Sequence, residues 1–152
     1  MTLKVRRVVT GHDANGKPVV KMDDIMRNVV SRRTGQSESE VWSANPLPTT
    51  GCDAVESALR EADGPIANGT VFRIVDYAPG TAAFPHRNDW IDYTIIIRGE
   101  IDMQLDDETE VHLKAGDVVV QRGAMHNWLN RGTEHCTIAF VRVGARPEET
   151  PP

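Results

Sequence analysis

His86 and His126 stand forty residues apart, each inside a short run with glycines at fixed offsets. The first run reads Gly80-x5-His86-x-Asn88-x3-Asp92-x6-Gly99. The second opens on Gly116-Asp117 and closes as Gly123-x2-His126-x3-Asn130. Two imidazoles and one carboxylate from separate strand-like segments are the residue types of a 2-His-1-carboxylate metal site. On that reading His86, Asp92 and His126 hold a divalent ion, and iron, zinc, manganese and nickel all suit such donors. A second reading needs no metal, with His86 and His126 as catalytic acid–base groups in a pocket. A third makes them satisfied core histidines, because buried polar groups need partners.

Strand alternation sorts the neighbours. With His86 inward, Phe84 and Asn88 share its face. With Asp92 inward, Thr94 and Ile96 follow. With His126 inward, Trp128 follows, while Asn130 ties a turn. Gln121 lies one short strand away and reaches the same space. Asn88, Gln121, Trp128, Phe84 and Thr94 are therefore the candidate substrate-binding residues of a mostly apolar pocket. For Trp128 and Phe84, core packing is the first reading and substrate contact the second. Tyr93 and Arg98 alternate outward, to the surface or an interface. His12 and His112 read as solvent-facing and His135 as an exposed turn residue.

The elements that must position these groups read from period and punctuation. Val5–Val9 is a β-branched strand, Asn15-Gly16 a turn signal, and Pro18–Met22 a returning strand. Residues 23–37 are polar and mixed, with Arg32-Arg33-Thr34-Gly35-Gln36-Ser37 resembling a loop, and Ser39–Ala44 reads as a short strand. Asp53–Asp63 reads as a helix, with Asp53 and Glu56 in a capping-box pattern and Gly64-Pro65 at its end. From Thr70 the period is two: Val71–Tyr77, Asp92–Arg98, Ile101–Leu105, Glu110–Lys114, Val118–Gln121, His126–Leu129 and Cys136–Val143. Strands at this spacing, separated by glycine turns, indicate an all-β antiparallel sandwich or jelly-roll barrel with one or two short helices.

The chain's 152 residues fit one domain with a sizeable core. Residues 1–50 form an N-terminal arm and loops, 51–146 the barrel core, and 147–152 a disordered tail. A net charge of −5 argues against nucleic acid as a partner. The Arg6-Arg7 and Arg32-Arg33 pairs lack interleaved aromatics and read as a solvated face. No apolar run approaches the ~20 residues of a membrane-spanning helix, and no signal peptide is visible, so the expected location is the cytoplasm. Cys52 and Cys136 make no disulfide framework, and Cys136 sits in an apolar run as a small core residue.

The two histidine motifs resemble those of the cupins. The first cupin motif is usually written G-x5-H-x-H-x3,4-E-x6-G; here Asn88 stands for its second histidine and Asp92 for its glutamate. The second is usually G-x5-P-x-G-x2-H-x3-N; Gly116, Gly123, His126 and Asn130 match, Gln121 replaces proline, and the first interval is one residue shorter. Residues 70–143 carry the resemblance. The stretch Val5–Pro18, the pairs His86-Arg87 and Asp92-Tyr93, and Gly116-Asp117-Val118-Val119-Val120-Gln121-Arg122-Gly123 are similar to a subgroup of small single-domain cupins. The resemblance implies a jelly-roll barrel, a small-molecule substrate and a homodimer. It also implies a reduced metal-ligand set of His86, Asp92 and His126. Three activities fit it: decarboxylation of a β-keto or aromatic carboxylic acid, Fe(II)-dependent dioxygenation, or small-molecule binding without catalysis.

Overall fold

The computed structural model describes residues 3–44, 68–81, 83–105 and 108–144. Eleven strands are described there: β1 (Arg6–His12), β2 (Pro18–Ile25), β3 (Val29–Arg33), β4 (Gln36–Ala44), β5 (Thr70–Tyr77) and β6 (Ile91–Arg98), then β7 (Glu100–Leu105), β8 (Glu110–Lys114), β9 (Val118–Arg122), β10 (His126–Leu129) and β11 (Cys136–Val143). All pair antiparallel. A six-stranded sheet in the order β3-β4-β5-β11-β6-β9 faces a three-stranded sheet β10-β7-β8, and β1-β2 is a separate hairpin. This is the all-β jelly roll that the period-two run from Thr70 predicts. The helix expected over Asp53–Asp63, Cys52 and the tail lie outside the described residues.

The strands form because their inward positions are apolar. On β6 the residues Thr94 and Ile96 are buried with Asp92, while Tyr93, Ile95 and Ile97 point out. Ile96, Ile101, Ile138, Trp128 and Phe140 meet between the two sheets as the main core. Each such fully buried aliphatic side chain contributes about 1.5–3 kcal/mol. A smaller core lies on the outer face, where Leu3 packs with Ile74 and Ala139, flanked by Val5, Val29 and Val41. The N-terminal segment thus covers β5 and β11 from outside, which is why these two strands are buried on both faces.

The run from Arg32 to Ser37 is the tip of a hairpin rather than a loop between elements. β2 runs on to Ile25, and β3 turns through Thr34-Gly35 into a β4 that begins at Gln36. The turn needs Gly35, whose φ of +80° would strain any side chain and whose added Cβ would lie 2.8 Å from the Thr81 hydroxyl. The polarity of this hairpin has a physical source. Gln36 and Glu38 on β4 face a polar cavity rather than the apolar core, so the hydrophobic alternation of a strand is missing. β3 and β4 therefore extend the barrel sheet by pairing onto β5, although they precede residue 51. Gly99, with φ +78°, makes the turn from β6 to β7; a Cβ there would sit 2.4 Å from the carbonyl oxygen of His135.

Candidate functional site

His126 opens β10, while His86 lies outside the named strands and joins it through an isolated antiparallel bridge. Each residue's backbone N–H donates to the other's carbonyl, at 3.0 Å both ways. The two imidazoles consequently sit side by side, with ring centroids 4.2 Å apart. The Phe84 N–H donates to Asn127 Oδ1 at 2.9 Å and fixes the approach of the His86 segment to β10.

Both rings are oriented by their own chain. His86 Nδ1 lies 3.0 Å from the Phe84 carbonyl and His126 Nδ1 2.9 Å from the Ala124 carbonyl. A carbonyl oxygen only accepts, so each Nδ1 carries the proton and donates it. In the neutral rings each Nε2 is then the basic atom. Burial lowers the pKa of His126, and the neighbouring His86 charge adds to that, so its neutral form is favoured.

These rings line a cavity of about 620 Å³. Phe84, Asn88, Asp92 and Trp128 also line it, as expected from alternation. Trp128 does double duty, meeting Phe140 edge-on in the core at 5.7 Å. Phe84 is no core residue; it is 47% exposed and lies under the Arg33 guanidinium. Thr94 and Gln121 are buried beside the cavity but are not among its lining residues, and Gln121 Nε2 meets Met103 Sδ at 3.0 Å. Asn130 ties a turn, donating to the Tyr77 and Glu134 carbonyls and accepting from the Gly132 N–H. His112 is exposed and paired with Asp102. His135 is only part-exposed, because its Nδ1 meets buried Asp76 at 2.5 Å.

Asp92 behaves differently from the two histidines. Its Oδ2 accepts from Asn88 Nδ2 at 3.1 Å and from Trp90 Nε1 at 2.9 Å, and its Oδ1 faces Arg142 Nε at 3.5 Å. Among the described residues, no three His, Cys, Asp or Glu side chains gather closely enough to hold a metal ion. Asp92 Oδ1 has no hydrogen-bond partner among the described residues, so a metal on both Nε2 atoms would compete for it with Arg142 alone.

The residues that motif reading misses are basic. Arg32 and Arg33 from β3, Arg73 from β5 and Arg142 from β11 all line the cavity, where Arg32 and Arg33 read as a solvated face. Arg32 pairs with Glu38, which also faces Arg73 at 3.5 Å. The available signal was alternation: Arg73 shares the inward face of Val75 and Tyr77, and Arg142 that of Phe140 and Ile138. A charge on an apolar strand face calls for a polar partner or a ligand.

The cupin domain pattern (Cupin_2) matches residues 73–142. Beyond that span, the chain is 35% identical over 151 residues to the phomopsin biosynthesis cluster protein C' of Diaporthe leptostromiformis, covering 94% of this chain and 80% of that protein. It is 31% identical over 149 residues to the cupin-domain-containing oxidoreductase virC of Hypocrea virens, covering 93% of this chain and 76% of that one. The chain belongs to the cupin family. This cupin is similar in shape to the Schizosaccharomyces pombe Cnp3 cupin domain, at a TM-score of 0.55 and 13% identity, covering 94% of this chain and 90% of that one. That likeness is one of fold. Among the described residues, no helix of this cupin is long and apolar enough to cross a membrane.

Proposed function

We propose that this cupin is a small-molecule enzyme that decarboxylates a β-keto or aromatic carboxylic acid, with His86 and His126 as its proton-transfer pair. The observation that carries the reading is the paired imidazoles, each held with Nδ1 on a backbone carbonyl, in a cavity also lined by four arginines. Arginines draw in a carboxylate, and the aromatic wall of Phe84, Trp90, Trp128 and Phe140 suits an apolar body. In a β-keto acid the bond from the substrate carbon to its carboxylate breaks, CO2 leaves, and the electron pair passes to the neighbouring carbonyl as an enolate. In a hydroxybenzoic acid the ring carbon takes the proton first, and the electron pair of the breaking bond restores the aromatic ring as CO2 leaves. A protonated imidazole Nε2 stabilises that enolate and delivers one proton to carbon. His86, the more exposed ring, recovers a proton from water, and His126, kept neutral by burial, accepts or relays it.

The test is CO2 release from a panel of β-keto and hydroxybenzoic acids by purified enzyme. Release that disappears in His86→Gln supports the reading. Stoichiometric oxygen consumption without CO2 release would overturn it. That outcome is the second reading, an oxidoreductase, and the name of the Hypocrea virens relative supports it. Under either reading the working form is a homodimer, built on the exposed apolar face of β6 and β9, and the expected location is the cytoplasm.

A further inference from the structure

The proposed function leaves the nature of the acid open, and two polar side chains of the cavity narrow it. Gln36 opens β4, Tyr77 closes β5, and the two are direct partners across the sheet. Residues so placed carry their Cβ atoms about 5 Å apart on one face. Both line the cavity, and both are 7% exposed. Neither takes part in the proton transfer assigned to His86 and His126.

Gln36 supplies an acceptor. Its Oε1 is buried and has no hydrogen-bond partner among the described residues. Leaving a buried carbonyl oxygen in that state is unfavourable, and a ligand donor removes the penalty. The terminal torsion of glutamine is broad, so its amide turns toward such a donor at small cost. The backbone beneath it is fixed. The Ser31 hydroxyl donates to the Gln36 carbonyl at 2.9 Å. The adjoining Gly35 carbonyl accepts from the Ala78 N–H at 2.7 Å and from the Thr81 hydroxyl at 2.9 Å.

Tyr77 supplies a donor. Burial pushes its phenol well above the ordinary value, and the charge of Arg33 opposes that rise only in part. The hydroxyl therefore keeps its proton at neutral pH. The same influence marks Arg33 as a neighbour, and its guanidinium is held 3.5 Å from the centroid of the Phe84 ring. The donor and acceptor thus adjoin a cation of the kind that draws in a carboxylate.

An acceptor beside a donor suits a group that does both. A hydroxyl accepts through its oxygen and donates its hydrogen, whereas a ketone only accepts and leaves Gln36 unpaired. We infer that Gln36 and Tyr77 form a subsite for a hydroxyl group, and that the ligand of this cavity is a hydroxylated acid. The inference rests on the proposed function only in placing an acid here. Within that function it selects a hydroxyaryl acid over a plain β-keto acid.

Calorimetric titration of the intact chain with hydroxy- and fluoro-substituted phenylacetates tests this. The ortho, meta and para isomers are each compared as a pair. Fluorine is close to a hydroxyl in size but has no hydrogen to donate. At least one hydroxy isomer should bind about tenfold or more tighter than its fluoro counterpart, the weight of one or two hydrogen bonds. Gln36→Met and Tyr77→Phe should each cut that ratio, and the double variant should bring it close to one. Arg122→Met, on the exposed edge strand β9, should leave it unchanged. Equal affinity within all three pairs, or no binding by any isomer, overturns the inference. So does a ratio unchanged in a Gln36→Met protein with native circular dichroism. Because binding is read without turnover, a protein that keeps the preference but releases no CO2 from β-keto or hydroxybenzoic acids sinks the decarboxylase reading alone.

Discussion

His86 and His126 hold each other: two backbone hydrogen bonds of 3.0 Å join them, and their ring centroids are 4.2 Å apart. The rings form a unit, since each depends on the other's backbone for position. His86→Gln and His126→Gln are each expected to lower turnover by about 100- to 10,000-fold, the usual weight of a positioned acid–base group. Glutamine leaves the backbone bridge intact, so the fold should survive. The double variant should be little worse than the weaker single one, as for residues acting together. Initial rates of CO2 release measure this, and losses that multiply in the double variant would argue for two independent roles.

Stability should carry the mark of His126. Burial favours its neutral form, so its folded pKa lies below the ordinary 6.5. Protonating it therefore costs more in the folded chain than in the unfolded one. The unfolded state binds more protons in the window between the lowered value and 6.5, so stability rises with pH there. It is fully present above 6.5 and is lost as pH falls toward the lowered value. His112 works in the opposite sense, raised chiefly by its hydrogen bond to Asp102. Comparing melting temperature against pH for wild type and His126→Gln cancels that contribution. The variant should lose less stability than wild type between pH of about 7.5 and about 5; parallel curves would mean that His126 is not desolvated.

Much of the barrel was legible because its chemistry is one-sided. From Thr70 to Val143 the strands turn apolar side chains into a shared core, and on β6 the period of two is visible in the burial itself. β3 and the start of β4 were illegible for the same reason reversed, although Ser39–Ala44 was read as a strand: their inward face looks into a polar cavity, so Arg33, Gln36 and Glu38 imitate a loop. The histidines were legible as types and spacing. The partners of Asp92 were not, because Arg142 reaches it across paired strands and nothing in the sequence states that pairing. The arginines of the cavity come from β3, β5 and β11, and only strand alternation hinted at Arg73 and Arg142.

Asp92 is expected to act as a structural anion. It is buried, and it holds Asn88, Trp90 and Arg142 in place. Asp92→Ala would leave the Arg142 charge without this partner, and breaking a buried pair costs about 3–5 kcal/mol. Chemical denaturation should show that loss. Asp92→Asn keeps the shape and should cost less. Elemental analysis of protein prepared without chelator is expected to find less than about a tenth of an equivalent of iron, zinc, manganese or nickel, since two imidazoles alone are a weak site. One equivalent that falls away in Asp92→Asn would instead make Asp92 a ligand.

The outer face of β6 is expected to bind a second copy of the chain. Tyr93 pairs across the sheet with Val120, and Ile95 with Val118, so four exposed apolar side chains form two adjacent rows. Ile91 and Ile97 extend the β6 row at its ends. β9 is also the edge of the six-stranded sheet, and neighbouring β5 and β11 already have their outer face covered by the N-terminal segment. An apolar sheet face beside a bare strand edge is costly to leave in water, and a two-fold partner covers both at once. A stable pair would bury roughly 1,200–2,000 Å² in all. Sedimentation velocity at micromolar protein should show a dimer. Val118→Lys with Val120→Lys should shift it to monomer, because each lysine meets an apolar surface. The cavity lies on the opposite face of this sheet, so its ligand affinity should persist in the monomer. A wild-type monomer across that concentration range would leave the face without a self-partner, and affinity lost along with the dimer would mean that the cavity is completed across the interface.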